Sequence, residues 1–253
     1  MFKKKTFFWS KIIGLSLLLF PQLSLAIGLE AAIGIWNQDP QGKVGYKGDS
    51  LDLNNDLKYS SVTQFFGRAK IDMPLLIPNF YILATPLRFD GTATKNVSFK
   101  FGNQTFNADI PFSSTLRLDH YDLALYYGVP FLKQATLGKI NIDGGLNMRV
   151  MDIKAGITQG GNSEAKSFYL VMPMVYLGFQ AKPVDFLSLE GEVRVVAYNS
   201  NHHYDLIGRV KYKIFDLVFV SAGYRYEEIS IDQSDVKLDS RISGPLLEAG
   251  FQF

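Results

Sequence analysis

Alternation with a period of two, held over long stretches, restricts this chain more than any other feature. In KINIDGGLNMRV, Ile140, Ile142, Leu146, Met148 and Val150 share one parity, and Asn141, Asp143, Asn147 and Arg149 share the other. LSLEGEVRVVAY sets Leu187, Leu189, Val193 and Val195 against Ser188, Glu190, Glu192 and Arg194. YDLIGRVKYKI sets Tyr204, Leu206, Val210, Tyr212 and Ile214 against Asp205, Arg209, Lys211 and Lys213. TQFFGRAKIDM sets Phe65, Ala69, Ile71 and Met73 against Gln64, Arg68, Lys70 and Asp72. Successive side chains of a strand point to opposite faces, so each stretch is a strand between two different surroundings. A soluble sandwich would bury the apolar face against a second sheet. A membrane barrel would turn it to lipid and enclose the polar face.

Three features choose the barrel. The alternating runs match a tilted membrane crossing of about 9–11 residues, whereas soluble strands are commonest at about 5–6. About ten strands can be placed, near 28–37, 62–73, 80–90, 114–128, 137–151, 167–182, 187–198, 204–214, 217–228 and 243–253, with eight or twelve as the alternatives. Long polar connections at 38–61, 91–113, 152–166 and 229–242 alternate with short ones at 74–79, 129–136, 183–186 and 215–216. That is the asymmetry of external loops and periplasmic turns. Aromatics on the outward parity gather at strand ends, with Tyr81, Tyr127, Phe179, Tyr212 and Phe253 at one level and Phe89, Tyr121, Tyr169, Tyr204 and Tyr226 at the other. Two such belts are the expected interfacial girdles. The fold class is therefore all-β, an antiparallel transmembrane β-barrel.

Residues 1–26 read as a cleaved signal peptide. MFKKKTFFWSK is a basic segment, followed by the apolar IIGLSLLLFPQLSLA with small residues at Ser24 and Ala26. Residues 27–253 form the barrel, placed in the outer membrane of a Gram-negative-type envelope. The formal charge of +2 turns negative once Lys3, Lys4, Lys5 and Lys11 leave with the leader, which removes the compositional case for nucleic acid. With no cysteine in the chain, disulfides and thiolate metal sites are excluded. The closing EAGFQF looks like a final barrel strand, and Phe253 resembles the terminal aromatic that the barrel-assembly machinery recognises. That machinery, periplasmic chaperones and outer-membrane lipids are the expected partners of a monomer.

The inward parity gathers Arg68, Lys70, Arg88, Asp122, Asp143, Arg149, Glu190, Glu192, Arg194, Asp205, Arg209, Lys211, Arg225, Glu227 and Glu248. Both signs are mixed, whereas a selective pore favours one sign at its constriction. About ten strands enclose little more than their own side chains, so these groups should pair across the lumen and plug it. His120 lies near Ser113, Ser114 and Asp119, but the spacing resembles no triad. His202 and His203 are adjacent and point different ways, which makes them poor joint ligands. Asp49, Asp52 and Asp56 in GDSLDLNNDL could hold a cation, without the glycine and glutamate of an EF-hand. No catalytic residue, metal site or cofactor is assigned.

GLEAAIGIWNQDPQGKVGYKGDSLDLNNDL, STLRLDHYDLALYY, FYLVMPMVYLGFQ and GYRYEEISID also resemble a family of small bacterial outer-membrane β-barrel proteins of unassigned function. The likeness covers nearly all of the mature chain. It implies the barrel, and no catalytic or ligand residues. The expected role is non-enzymatic, structural or surface-interacting, with a largely plugged polar interior. A narrow porin-like channel for small solutes or ions is the alternative, and a lipid-modifying outer-membrane enzyme the third.

Overall fold

Long strands, each paired with its neighbour in the chain, make up the wall. A computed structural model describes residues 27–74, 77–199 and 201–253; the signal peptide assigned to 1–26 lies outside the described residues. The strands are β1 (Gly28–Tyr46), β2 (Ser50–Asp52), β3 (Val62–Asp72), β4 (Asn79–Thr85), β5 (Arg88–Ala93), β6 (Phe99–Phe101), β7 (Gln104–Phe106), β8 (Phe112–Gly128), β9 (Ile140–Gln159), β10 (Asn162–Val184), β11 (Leu187–Tyr198), β12 (Asn201–Lys213), β13 (Val218–Gln233) and β14 (Val236–Gln252). One short helix, α1 (Leu132–Ala135), interrupts the β8–β9 connection.

Every pairing is antiparallel, and β14 returns to β1 from Glu30↔Gln252 to Tyr46↔Val236. The sheet therefore closes as a barrel of ten staves, and closure leaves no edge along the seam. The third stave is made of β4 and β5 in succession, both paired to β8. Pro86 breaks it, since proline brings no amide to the ladder. The break is held by neighbours: Asp119 accepts from the Leu87 amide at 2.9 Å, and the Gln38 amide donates to the Pro86 carbonyl at 2.9 Å.

Ile27 and Phe253 lie at the rim that carries the connections 129–139, 185–186 and 214–217. At the opposite rim the sequence expectation needs correction. The stretches expected as long loops are largely strand. β1 continues to Tyr46, β9 and β10 meet at a tight turn at 160–161, and β13 and β14 meet at 234–235. Polar and glycine-rich residues disguised these extensions, because above a bilayer a hairpin has water on its outer face. His202 and His203, which fall between the expected strands 187–198 and 204–214, lie near the start of β12.

Outward residues form a broad apolar belt that includes Ile33, Leu123, Leu125, Leu146, Val175, Leu177 and Leu206, all exposed. Exposed Tyr127, Phe179, Phe186, Tyr212, Phe215 and Phe251 ring the rim with the chain ends, and Tyr121, Tyr169, Tyr198 and Tyr224 mark the other level. An exposed apolar belt between two aromatic girdles is a lipid-facing surface. The third stave was read one residue out of register. Tyr81 and Phe89 point inward and are buried, whereas the Arg88 side chain is half exposed and pairs with Asp119 outside the lumen network.

Candidate functional site: a layered lumen

Inward parity places charged residues of different staves at one depth. In the half near the chain ends, Arg68 from β3 grips Glu248 from β14 with two hydrogen bonds of 3.1 and 3.0 Å and reaches Glu30 on β1 at 2.5 Å. Arg209 from β12 binds Glu248 at 2.8 Å, Glu190 at 3.1 Å, and Glu192. Lys70 meets Glu192 at 2.9 Å, and Lys211 bridges Glu30 and Glu190 at 2.8 and 2.6 Å. Toward mid-wall, Arg149 from β9 binds Asp122 through two hydrogen bonds of 2.8 and 2.9 Å, and also contacts Asp205 and Glu227. Arg225 from β13 binds Asp205 through two bonds of 2.9 Å and donates to Thr85.

Arg194 sits between the two groups, 3.1 Å from Glu192 and 3.7 Å from Asp205. Its guanidinium lies over the rings of Tyr81 and Tyr176, 4.8 and 5.3 Å from their centroids. Stacking on π-faces offsets part of the desolvation of a cation that has few hydrogen-bond acceptors. Tyr81 is a member of the site that the sequence reading missed. In NFYILAT both parities are apolar, so alternation carries no register there. Each buried cation thus has a carboxylate, which is the condition for taking such charges out of water. Asp143 stands nearer the rim with the chain ends, where it accepts from Asn141 at 2.8 Å.

Above this layer the lumen changes character. Trp36 lies over Arg225, 4.6 Å from ring centroid to guanidinium carbon, and is fully buried. Beyond it the inward parity continues with apolar residues: Leu118 on β8, Met151 and Ile153 on β9, Ile229 and Ile231 on β13, and Leu238 and Ile242 on β14. The residues of the first two loops fold in among them. Phe99 stacks on Phe106 with centroids 5.3 Å apart and tilts against Phe112 at 5.0 Å, while Tyr46 meets Phe101 edge-on at 5.7 Å. The β6–β7 hairpin is tied to the end of β1 and the segment after it by the Gly102 amide donating to the Tyr46 carbonyl and the Asp49 amide to the Lys100 carbonyl. The loops close the mouth as an apolar cap.

The acidic cluster of the first loop serves the cap. Asp52 accepts from the amides of Asn54 and Asn55 at 3.1 and 2.8 Å, and Asp56 accepts from the Asp52 amide at 2.9 Å and from Lys95. Burial works against the Asp56 carboxylate, but those hydrogen bonds outweigh it and hold the carboxyl below the usual range. Asp49 accepts from the Lys100 amide at 2.8 Å. Of the histidines, His120 faces the Leu118 carbonyl at 3.2 Å and Arg225 at 3.2 Å, and His203 lies against Glu227 and Arg149. His202 points to the other face beside Glu228. His120, Asp205 and Glu227 could bring ligand atoms within 4.8 Å of one another, but Arg149 and Arg225 already hold the two carboxylates. Asp119 is turned to Arg88 and Arg117, away from His120, so no triad geometry forms. At the rim with the chain ends the lumen opens into a vestibule of about 260 Å³, whose lining includes Glu30, Lys70, Asp143, Glu190, Glu192 and Lys211.

A closed antiparallel barrel with an apolar belt, two girdles and a polar interior defines the class, a transmembrane β-barrel of the kind bacterial outer membranes hold. No family model and no curated protein sequence matches the chain. Among solved structures it is similar to Ail, the attachment invasion locus protein of Yersinia pestis, solved with the heparin analogue sucrose octasulfate (12% identity, 89% of this chain and 99% of that one, TM-score 0.35). It is similar as well to the translocator domain of the autotransporter NalP from Neisseria meningitidis (12%, 97% and 94%, TM-score 0.42). A third is the monoaromatic hydrocarbon channel CymD (12%, 94% and 92%, TM-score 0.37). At such identities the superpositions are loose, and no role of those proteins transfers. The resemblance to a family of unassigned function stays at the level of the barrel.

Proposed function

We propose that this chain is a non-enzymatic, monomeric outer-membrane barrel with a sealed lumen, whose role is structural or carried by its external hairpins and cap. Arg149, Arg194, Asp205 and Glu227 carry the proposal: none has any side-chain exposure. Water filling a channel would give its lining exposure, and these residues come from four staves at mid-wall. Outer-membrane lipids surround it, and the assembly machinery and periplasmic chaperones deliver it.

The test is conductance in planar bilayers. The purified protein should show no steady current, or only rare small openings. Replacing Glu190, Glu192 and Arg194 together by alanine should open a water path and raise conductance. Stable channels in the unmutated protein would favour the second reading, a narrow channel, which has the vestibule in its support. Phe253 is proposed as the assembly signal. Its amide and carbonyl already bond Leu29 across the seam, at 2.8 and 3.3 Å. Its deletion should slow insertion and leave precursor in the periplasm, and unchanged insertion rates would remove that role.

A further inference from the structure

The staves do not all rise to the same height. β11 ends at Tyr198 and β12 begins at Asn201, while β10 starts at Asn162 and β13 runs to Gln233. Pairing between β10 and β11 stops at Val175↔Val195, and β12–β13 pairing stops at His202↔Ser230. Above those points β10 has β9 on one side and, among the described residues, no strand partner on the other. The wall there carries a notch between the upper parts of β10 and β13.

A cavity of about 410 Å³ fills the notch, within the ~300–1,000 Å³ typical of ligand pockets. Four successive residues of β10 line it, Leu170 to Pro173. Successive strand residues face opposite sides, so a cavity that touches all four passes through the wall. Leu170 and Met172 have inward parity and pack on the apolar layer of the lumen, yet both are only partly buried. Pro173, Val196 and Ala197 also line an adjoining groove of about 350 Å³, which descends on the outside to Leu146 and Val175. Those two are exposed members of the lipid-facing belt, and exposed Tyr169 and Tyr198 stand at the level of the notch. Pro173 has no amide hydrogen, so it leaves no unpaired donor on that open strand edge.

We propose that this notch is a lateral binding site for one acyl chain of an outer-leaflet lipid, which passes Leu170, Met172 and Ile231 at the notch and runs down the outer groove to Leu146 and Val175. Continuity decides the occupant. The groove begins on a surface that only the bilayer touches and is apolar from Leu146 and Val175 to Val196 and Ala197. It ends at girdle depth, where Asn201, His202, Ser230 and Gln233 join the lining and a headgroup would remain in water. The inference does not depend on whether the lumen conducts.

The test uses full-length mature protein in vesicles that contain a phosphatidylcholine with a diazirine on one acyl chain, near the carboxyl in one set and at the methyl end in another. After photolysis, adducts are mapped by mass spectrometry. Adducts should appear on inward-parity Met172 and Ile231 as well as on Leu146 and Val175. Ala197→Trp should fill the groove, cutting the Met172 and Ile231 adducts at least tenfold and leaving the Leu146 adduct unchanged. Heat-modifiable gel migration reports the folded barrel, and Leu170→Phe serves as the filling change if Ala197→Trp does not fold. Adducts confined to outward residues, or Met172 adducts indifferent to a filled groove, would overturn the proposal.

Discussion

Arg149 shows how much a single side chain can carry in this lumen. Its guanidinium holds Asp122 and also contacts Asp205 and Glu227, and all four side chains are out of water. Removing one partner of a buried ion pair costs about 3–5 kcal/mol, because the remaining charge is left without compensation. Arg149→Met should therefore lower the unfolding free energy in micelles by about that amount, read from the denaturant midpoint of tryptophan emission. Adding Asp122→Asn to that variant should restore part of the loss, since one stranded carboxylate is gone. Independent, additive losses for the two changes would mean that the pair does not interact.

At the scale of the strand, register is legible wherever one face is charged and the other is not. β9, β11 and β12 alternate without ambiguity, so Arg149, Glu190, Glu192, Arg194, Arg209 and Lys211 could be placed inward from sequence. The split stave is different. Phe80, Ile82 and Ala84 oppose Tyr81, Leu83 and Thr85, both sets are mostly apolar, and Pro86 hides the continuity into β5. The apolar layer was missed for a related reason. The inward parity of β13 runs from Arg225 and Glu227 to Ile229 and Ile231 without a break, but its chemistry changes where the barrel leaves the membrane. FKFGNQTF already alternated aromatics, which was the signal for the β6–β7 hairpin. The β13–β14 tip offers a test at this scale. Ser234 and Asp235 have φ of 54° and 65°. Two successive positive φ values define a type I′ turn, which favours Asn-Gly. Asp235→Gly should stabilise the tip by about 1 kcal/mol, since the left-handed conformation costs other residues roughly 1–2 kcal/mol. Slower amide exchange at the hairpin end in the variant checks it, and exchange unchanged or faster would mean the turn is already relaxed.

The lumen is closed toward mid-wall by charge and at the far rim by apolar packing. The cap is fastened by Asp56, whose carboxyl is held low by Lys95 and the Asp52 amide despite partial burial. A group with a depressed folded pKa contributes its stability above the unfolded value, about 3.9 for aspartate, and loses it as pH falls through the folded value. The cap should therefore stay protected from neutral pH to about 4 and loosen only below that. Exchange of the Leu53 and Leu57 amides at stepped pH measures it. In Lys95→Met the same loosening should occur at higher pH, close to the ordinary aspartate range, and an unchanged profile would separate Asp56 from the fastening.

The seam between the first and last staves has a mechanical consequence. Glu30 stands on β1 and Glu248 on β14, and Arg68 from β3 holds both, while Arg209 and Lys211 from β12 hold one each from the other side. Parting the seam would therefore pull two carboxylates off shared cations inside the barrel, in addition to breaking a strand ladder. The seam works as a latch with its bolts on the inside, thrown only once the chain has come full circle. Partial closure gains little, so the last step of insertion should be abrupt, and a barrel once latched should not exchange strands with a neighbour.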